Sequence, residues 1–182
     1  MTIRISKEEF GELFDSFEHT AFRLEVRERY NVSYEQEHFR RFLAGSPDPD
    51  ERRADYAKSW HVMLRRVRAA GCTFRRVRVV SLPPSDYNRY GLWSSQFTVA
   101  DGDDIRYLDR AKASPELPDH DFWLFDSRTL VRMNFDEDDR PLRHEIVEDP
   151  AEIVKHNYWR DVAWHHAVKR EDFATAELIG LG

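Results

Sequence analysis

Arginine offers the most chemistry in this chain. Between positions 57 and 85 stand Lys58, Arg65, Arg66, Arg68, Arg75, Arg76 and Arg78, with no Asp or Glu among them. On a helix, Arg65 and Arg68 share a side. On a strand, Arg76 and Arg78 share a face opposite Val77 and Val79. Guanidinium forks suit phosphate, nucleic acid or an acidic protein surface. The alternative is a solvated helix face, with the arginines paired to acidic segments around 136–139 and 145–152. Directly after the basic stretch comes SLPPSDYNRY (81–90), polar and aromatic. It follows an expected central strand, and α/β sheets hold ligands beyond such strand ends. Arg76, Arg78, Ser85, Asp86, Tyr87 and Arg89 are therefore the candidate ligand-binding residues. Ser85 and Asp86 have a second reading, as the cap and first-turn acid of a helix.

The histidines carry a weaker signal. His120 opens HDFWLFD (120–126) and could attack phosphorus if an acid and cationic donors stood nearby. Its neighbours are apolar and no Lys lies on the strand, so His120 is only a weak catalytic candidate, and the alternative is a loop histidine. Asp161 and His165 are four apart and could share a metal. His61 or His144 could be a third ligand, but nothing in the sequence places either, and no metal site is assigned. Phosphate-cradling glycine motifs and the G-x-S-x-G elbow are missing from a chain with 7 glycines. The acidic run 136–139 lacks the spacing of a calcium loop. No cofactor is expected.

These residues need elements to position them. Ser6 with Glu9 forms a capping box, opening a helix to about Phe17 with Phe10, Leu13, Phe14 and Phe17 on one face. Phe22, Leu24 and Val26 alternate as a half-buried strand. Ser33 caps a short helix to about Leu43, ended by Gly45. A long helix is expected over 50–70, with Tyr56, Trp60, Met63, Leu64 and Val67 as its stripe and Gly71 as its C-cap. Strand 73–82 follows, then a short helix or turn from Ser85 to about Trp93. Further strands are expected over 105–108, 122–125, 129–135 and 142–147. Asp149 and Pro150 open the last helix, with Ala151, Val154, Tyr158, Val162 and His165 on one face. The tail after Val168 is unassigned. Together these predict one domain over 1–182: a helical region, about 6–45, packed on an α/β core, about 50–168. The fold class is α/β (α+β), a single mixed sheet flanked by helices.

Composition narrows the class. The 182 residues are 41% hydrophobic and 13% aromatic, enough for a core. Net charge is -6, which disfavours a globally basic nucleic-acid binder. That figure averages two unlike parts, since the seven positive charges of 57–85 leave about -13 on the remainder. Cys72 stands alone, which excludes an intrachain disulfide and fits a reducing cytoplasm. No apolar run approaches the roughly 20 residues of a membrane span, so a cytoplasmic protein with no membrane partner is expected.

Several segments resemble an uncharacterised family of bacterial proteins found in high-GC Gram-positive organisms. They are FGELFDSFEHTAFRL (10–24), RVRVVSLPPSDY (76–87), DIRYL (104–108), DHDFWLFDS (119–127) and NFDEDD (134–139). Members often occur beside helix-turn-helix regulators, so the resemblance implies a protein partner of that kind. The stretch 120–139 also resembles the second half of a phospholipase D-type domain. There a strand carries H-x-K-x-x-x-x-D, a hairpin follows, and a helix with a Trp closes the unit, here Trp159 or Trp164. Phe122 stands in the lysine's place and Asp126 falls one residue early. The resemblance thus implies a phospholipase D-like sheet with a degenerate catalytic motif. The function expected from these features is a non-catalytic regulatory or adaptor domain acting with a helix-turn-helix regulator. The alternative is a phosphodiester- or nucleotide-processing enzyme, or a phosphorylated-ligand sensor with an Arg-rich pocket. Nucleic acid is a less favoured partner.

Overall fold

The structure is a computed structural model and describes residues 1–56 and 60–180. Its strands are β1 (Thr2–Arg4), β2 (Thr20–Glu25), β3 (Thr73–Val80), β4 (Asp104–Asp109), β5 (Phe122–Phe125), β6 (Thr129–Arg132), β7 (Glu145–Val147) and β8 (Val168–Lys169). They form one mixed sheet in the order β1-β7-β6-β5-β2-β3-β4-β8. β2, β3 and β4 run parallel at its centre, and β5 runs antiparallel to β2. The helices are α1 (Lys7–Ser16), α2 (Gln36–Leu43), α3 (Pro49–Tyr56), α4 (Trp60–Ala69), α5 (Asp86–Ala100), α6 (Pro150–His166), α7 (Arg170–Phe173) and α8 (Ala176–Ile179). A mixed α/β domain with a single mixed sheet is what the residue pattern implies.

Local signals explain most boundaries. Ser6 and Glu9 exchange both capping-box bonds at α1, and the Asp149 side chain accepts from the Ala151 N–H with Pro150 in the first turn of α6. Gly71 closes α4 at φ +73, a conformation that favours glycine. The β5–β6 turn places Asp126 and Ser127 at positive φ. The Asp126 carboxylate is fixed there by the N–H groups of Glu18, His19 and Thr20, which lead into β2. This one side chain locks the hairpin to the centre of the sheet.

Both sheet faces are covered. On one, α6 sets Trp159 and Ala163 over Phe22, Leu24, Val77, Val79, Phe122 and Leu124. On the other, Phe10, Leu13 and Phe14 of α1 and Leu64 and Val67 of α4 pack on Ala21, Phe74, Trp123 and Phe125. Beside them an aromatic layer joins Tyr30, Phe42, Tyr87, Tyr90, Trp93 and Phe97.

Several expectations change. The region 6–45 is not an added helical layer, because it contributes β2 to the centre of the sheet. The described parts of the 50–70 helix are α3 and α4; residues 57–59 of that expectation, Lys58 included, lie outside the described residues. The helix opened by Ser85 runs on to Ala100 instead of ending near Trp93. It is contacted on several sides, so its apolar residues show no single stripe. Residues 2–4 form an edge strand on β7 that no strand pattern announced. The largest correction concerns α6. Val154 (69% exposed) and Tyr158 (52%) face outward, and His156, Trp159 and Ala163 are buried. Burying one tryptophan removes roughly 150–250 Å² from water, and Trp159 packs on the sheet with Ala163 and His156.

Candidate functional site

Three of the sheet's arginines meet between the middle of β2 and β3 and the carboxyl end of β2. Register sets Arg23 of β2 beside Arg76 of β3, and Glu25 beside Arg78. All four side chains share the face that carries α5. Glu25 is 2% exposed and sits among three guanidiniums. Its Oε1 accepts from Arg76 Nη1 at 3.0 Å and its Oε2 from Arg78 Nη1 at 2.9 Å. Arg23 Nε stands 3.6 Å from Oε1. Asp103, just before β4, takes Arg76 Nε and Nη2. Asn88 of α5 accepts Arg78 Nε and Nη2 at 3.1 and 3.0 Å and donates to Glu28 at 2.6 Å.

Aromatic rings hold the guanidiniums apart. Tyr30 lies 5.4 Å from Arg23 and 5.1 Å from Arg78. Trp123 lies 5.6 Å from Arg23 on the sheet side, and Tyr87 lies 5.3 Å from Arg78. The Tyr30 hydroxyl donates to Asp121 Oδ2 at 2.5 Å, and the Val26 N–H donates to Oδ1 at 2.8 Å. The Tyr87 hydroxyl donates to Glu35 at 2.7 Å, which also accepts from Arg52 at 3.1 Å.

Electrostatics divides the acids. Burial pushes Glu25 upward, but Arg23, Arg76 and Arg78 together bring its pKa down to about 2. For Asp121 burial wins and raises the pKa, despite Arg23 and the Tyr30 bond. Burial, with Asp121 and Glu25 nearby, also raises Tyr30 well above the usual phenol. Arg23 is the cluster's least committed cation. Its Nη2 is 3.6 Å from Asp121, beyond a hydrogen bond, and its buried Nε has no hydrogen-bond partner. A crevice between Tyr30, Glu35, Phe39 and Tyr87 encloses about 20 Å³, room for one water.

The six candidate ligand residues separate into two groups. Arg76, Arg78 and Tyr87 belong to this network. Ser85 supports it indirectly, accepting from the Asn88 N–H at 3.2 Å as the cap of α5. Asp86 and Arg89 lie apart: they pair at 3.0 Å, and Arg89 also donates to Ile179 O and Gly180 O at the C-terminal helix. Sequence reading missed Arg23, Glu25, Tyr30, Asp103 and Asp121. One signal was present, since Arg23 and Glu25 on β2 alternate with apolar residues just as Arg76 and Arg78 do on β3.

His120 lies across the sheet from this network. Its Nε2 is 3.1 Å from His156 Nε2. His156 Nδ1 is 2.7 Å from the Glu152 carbonyl, so Nδ1 carries the proton. His120 Nε2–H therefore donates to His156 Nε2. Trp159 rings both, at 6.0 and 4.6 Å. Burial lowers His156 to about 4, and burial with Arg132 lowers His120. The sheet separates His120 from Arg76, Arg78 and Arg89, and Arg132 is the arginine that His120 feels. Asp161 and His165 are exposed on α6, with Asp161 on Arg160 at 2.8 Å. Among the described residues no group of three or more His, Cys, Asp or Glu is placed to hold a metal, and no helix is long and apolar enough to cross a membrane.

The sheet and its charged interior place the chain among mixed α/β domains. The family described as Domain of unknown function (DUF6879) matches residues 8–175, and the chain belongs to that family. A search of curated proteins finds no match to it.

Replacing Glu25 by Gln keeps the shape but leaves three guanidiniums around a neutral amide. Such a break in a buried pair costs about 3–5 kcal/mol. Because the folded pKa is depressed, Glu25 contributes its stability above its unfolded value, about 4.3. That contribution is lost as pH falls toward about 2. Urea unfolding at stepped pH should show the gap between the two proteins open at pH 7 and narrowing below about pH 4.

Proposed function

We propose that this domain is a non-catalytic regulatory module that senses a compact phosphate-bearing anion and acts with a helix-turn-helix regulator in the cytoplasm. The observation that supports it is Arg23. A buried guanidinium nitrogen without an acceptor is satisfied by an incoming anion. Asp121, its nearest partner apart from Glu25, has its two oxygens engaged by Tyr30 and Val26 and a raised pKa. Arg76 and Arg78, whose nitrogens are held by Glu25, Asp103 and Asn88, would add only their charge at a distance, with Tyr87 beside them. The crevice is too small for phosphate, so binding would displace the segment around 29–39. That displacement is what a partner would read. The regulator partner rests on the family resemblance alone.

The same reading puts the sheet with phospholipase D-like folds. His120, the β5–β6 hairpin and a closing helix with Trp159 follow one another in the order that resemblance requires. It also accounts for lost chemistry. Phe122 is a core residue at 0% exposure, and Asp126 is spent on backbone N–H groups.

In thermal melts with pyrophosphate, ten times the dissociation constant should stabilise the protein by about 1.4 kcal/mol and raise the melting temperature about 3–5 °C. Arg23→Gln should abolish the shift. A shift that survives in Arg23→Gln, or none at millimolar pyrophosphate, would reject the sensor.

The His120–His156 pair favours a second reading, a phosphodiester-cleaving enzyme with His120 as nucleophile. Bis(p-nitrophenyl) phosphate should then turn over, and both His120→Ala and His156→Ala should stop it. Turnover that persists in His120→Ala would remove this role.

A further inference from the structure

We infer that the Arg27–Asp139 pair is a clasp that holds the segment 29–32 closed over Arg23, and that its release opens the charged cluster. The inference rests on the anion-sensor reading only for what enters once the segment lifts. Tyr30 of this segment lies 5.4 Å from Arg23 and 5.1 Å from Arg78, and its hydroxyl is held by Asp121. Access to the buried Nε of Arg23 therefore depends on how often the segment opens.

Both flanks of the segment are pinned. Glu28 accepts from Ser81, Asn88 and Arg110 at 2.6, 2.6 and 3.0 Å. Glu35 accepts from Tyr87 and Arg52. Between them, residues 29–32 form no helix or strand. Such a stretch opens locally unless contacts from elsewhere hold it. The loop joining β6 to β7 supplies them. Arg27 Nε donates to Asp139 Oδ1 at 3.1 Å, and Nη2 donates to the same oxygen. The Asn31 N–H donates to the Asp139 carbonyl at 2.9 Å, and Asn31 Nδ2 donates to the Asp138 carbonyl at 3.2 Å. The Arg27 guanidinium also lies 4.9 Å from the Phe135 ring, and Tyr30 packs on that ring at 5.5 Å.

The loop is built to present Asp139. Asp136 Oδ1 accepts the N–H groups of Asp138 and Arg140, each at 2.9 Å, and the Asp136 carbonyl accepts from the Asp139 N–H at 3.1 Å. Asp139 stands at φ +63, which Asp and Asn tolerate better than most side chains. The clasp is also the weak point of the cover. Glu25 and its arginines are buried, whereas Arg27 and Asp139 are both part-exposed. Solvent screens such a pair, so losing it shifts a local equilibrium several-fold and leaves the core folded.

Hydrogen exchange at the Asn31 amide, read without ligand, tests the clasp. Asp139→Asn keeps the shape and the backbone conformation but removes the charge. It should speed exchange roughly fivefold, and Arg27→Gln should do the same. The double variant should stay within about twofold of the faster single, because both changes remove one contact. Glu137→Gln, at the exposed tip of the same loop, should leave the rate unchanged. Because the open form is the one that takes the anion, Asp139→Asn should also tighten pyrophosphate binding by about fivefold. An unchanged Asn31 rate in Asp139→Asn would overturn the clasp. So would an equal acceleration in Glu137→Gln, which would make the effect one of general charge. Faster exchange with unchanged pyrophosphate affinity would overturn its control of the cluster. If none of these proteins binds pyrophosphate, the sensor is rejected, and the exchange rates still decide the clasp.

Discussion

Burying Glu25 beside three arginines is the constraint around which this domain is arranged. A carboxylate at 2% exposure is tolerable only if fixed cations and donors replace its water. Arg76 and Arg78 do so from the neighbouring strand, and each then needs its own second partner. Asp103 supplies one from the start of β4 and Asn88 the other from α5. The demand of one side chain thus reaches across three parallel strands and into the helix above them. The Ser85 cap, the register of β2 on β3 and the position of α5 all serve that one network.

The two faces of the sheet answer different needs. Under α6 the contacts are apolar, and tryptophan dominates: Trp159 is buried, and Trp164 stacks on Arg106 at 3.8 Å. On the opposite face an apolar patch under α1 and α4 gives way to the charged cluster, walled by tyrosines. Tyrosine suits that boundary, because its ring lies against a guanidinium while its hydroxyl reaches an acid. Tyr30 does both, with Arg23 and Arg78 beside its ring and Asp121 on its hydroxyl.

Much of the architecture was legible because it is written locally. The capping box at Ser6, the Asp149–Pro150 start, Gly71, and the alternation in β2 and β3 each rest on short-range physics. What was not legible depends on partners distant in sequence. Arg23 and Glu25 read as the wet face of a half-buried strand until Tyr30 and the β3 arginines are set against them. The stripe on α6 read as a core face because Trp159, one position along, was weighed no more heavily than a valine. Arg76, Arg78 and Tyr87, grouped in the sequence as ligand candidates, meet in one network. Their acids, Glu25 and Asp103, could not be matched to them without the sheet register. His120 was found through its strand, but its partner His156 is 36 residues away on another element.

The central claim is that Glu25 and Arg78 act as one coupled unit within the buried network. A double-mutant cycle with Glu25→Gln and Arg78→Met, followed by urea unfolding at pH 7, tests it directly. The two residues are joined at 2.9 Å, and the expected coupling energy is about 2–3 kcal/mol. Losses that add to within about 0.5 kcal/mol would contradict the account, because they would mean that neither charge depends on the other.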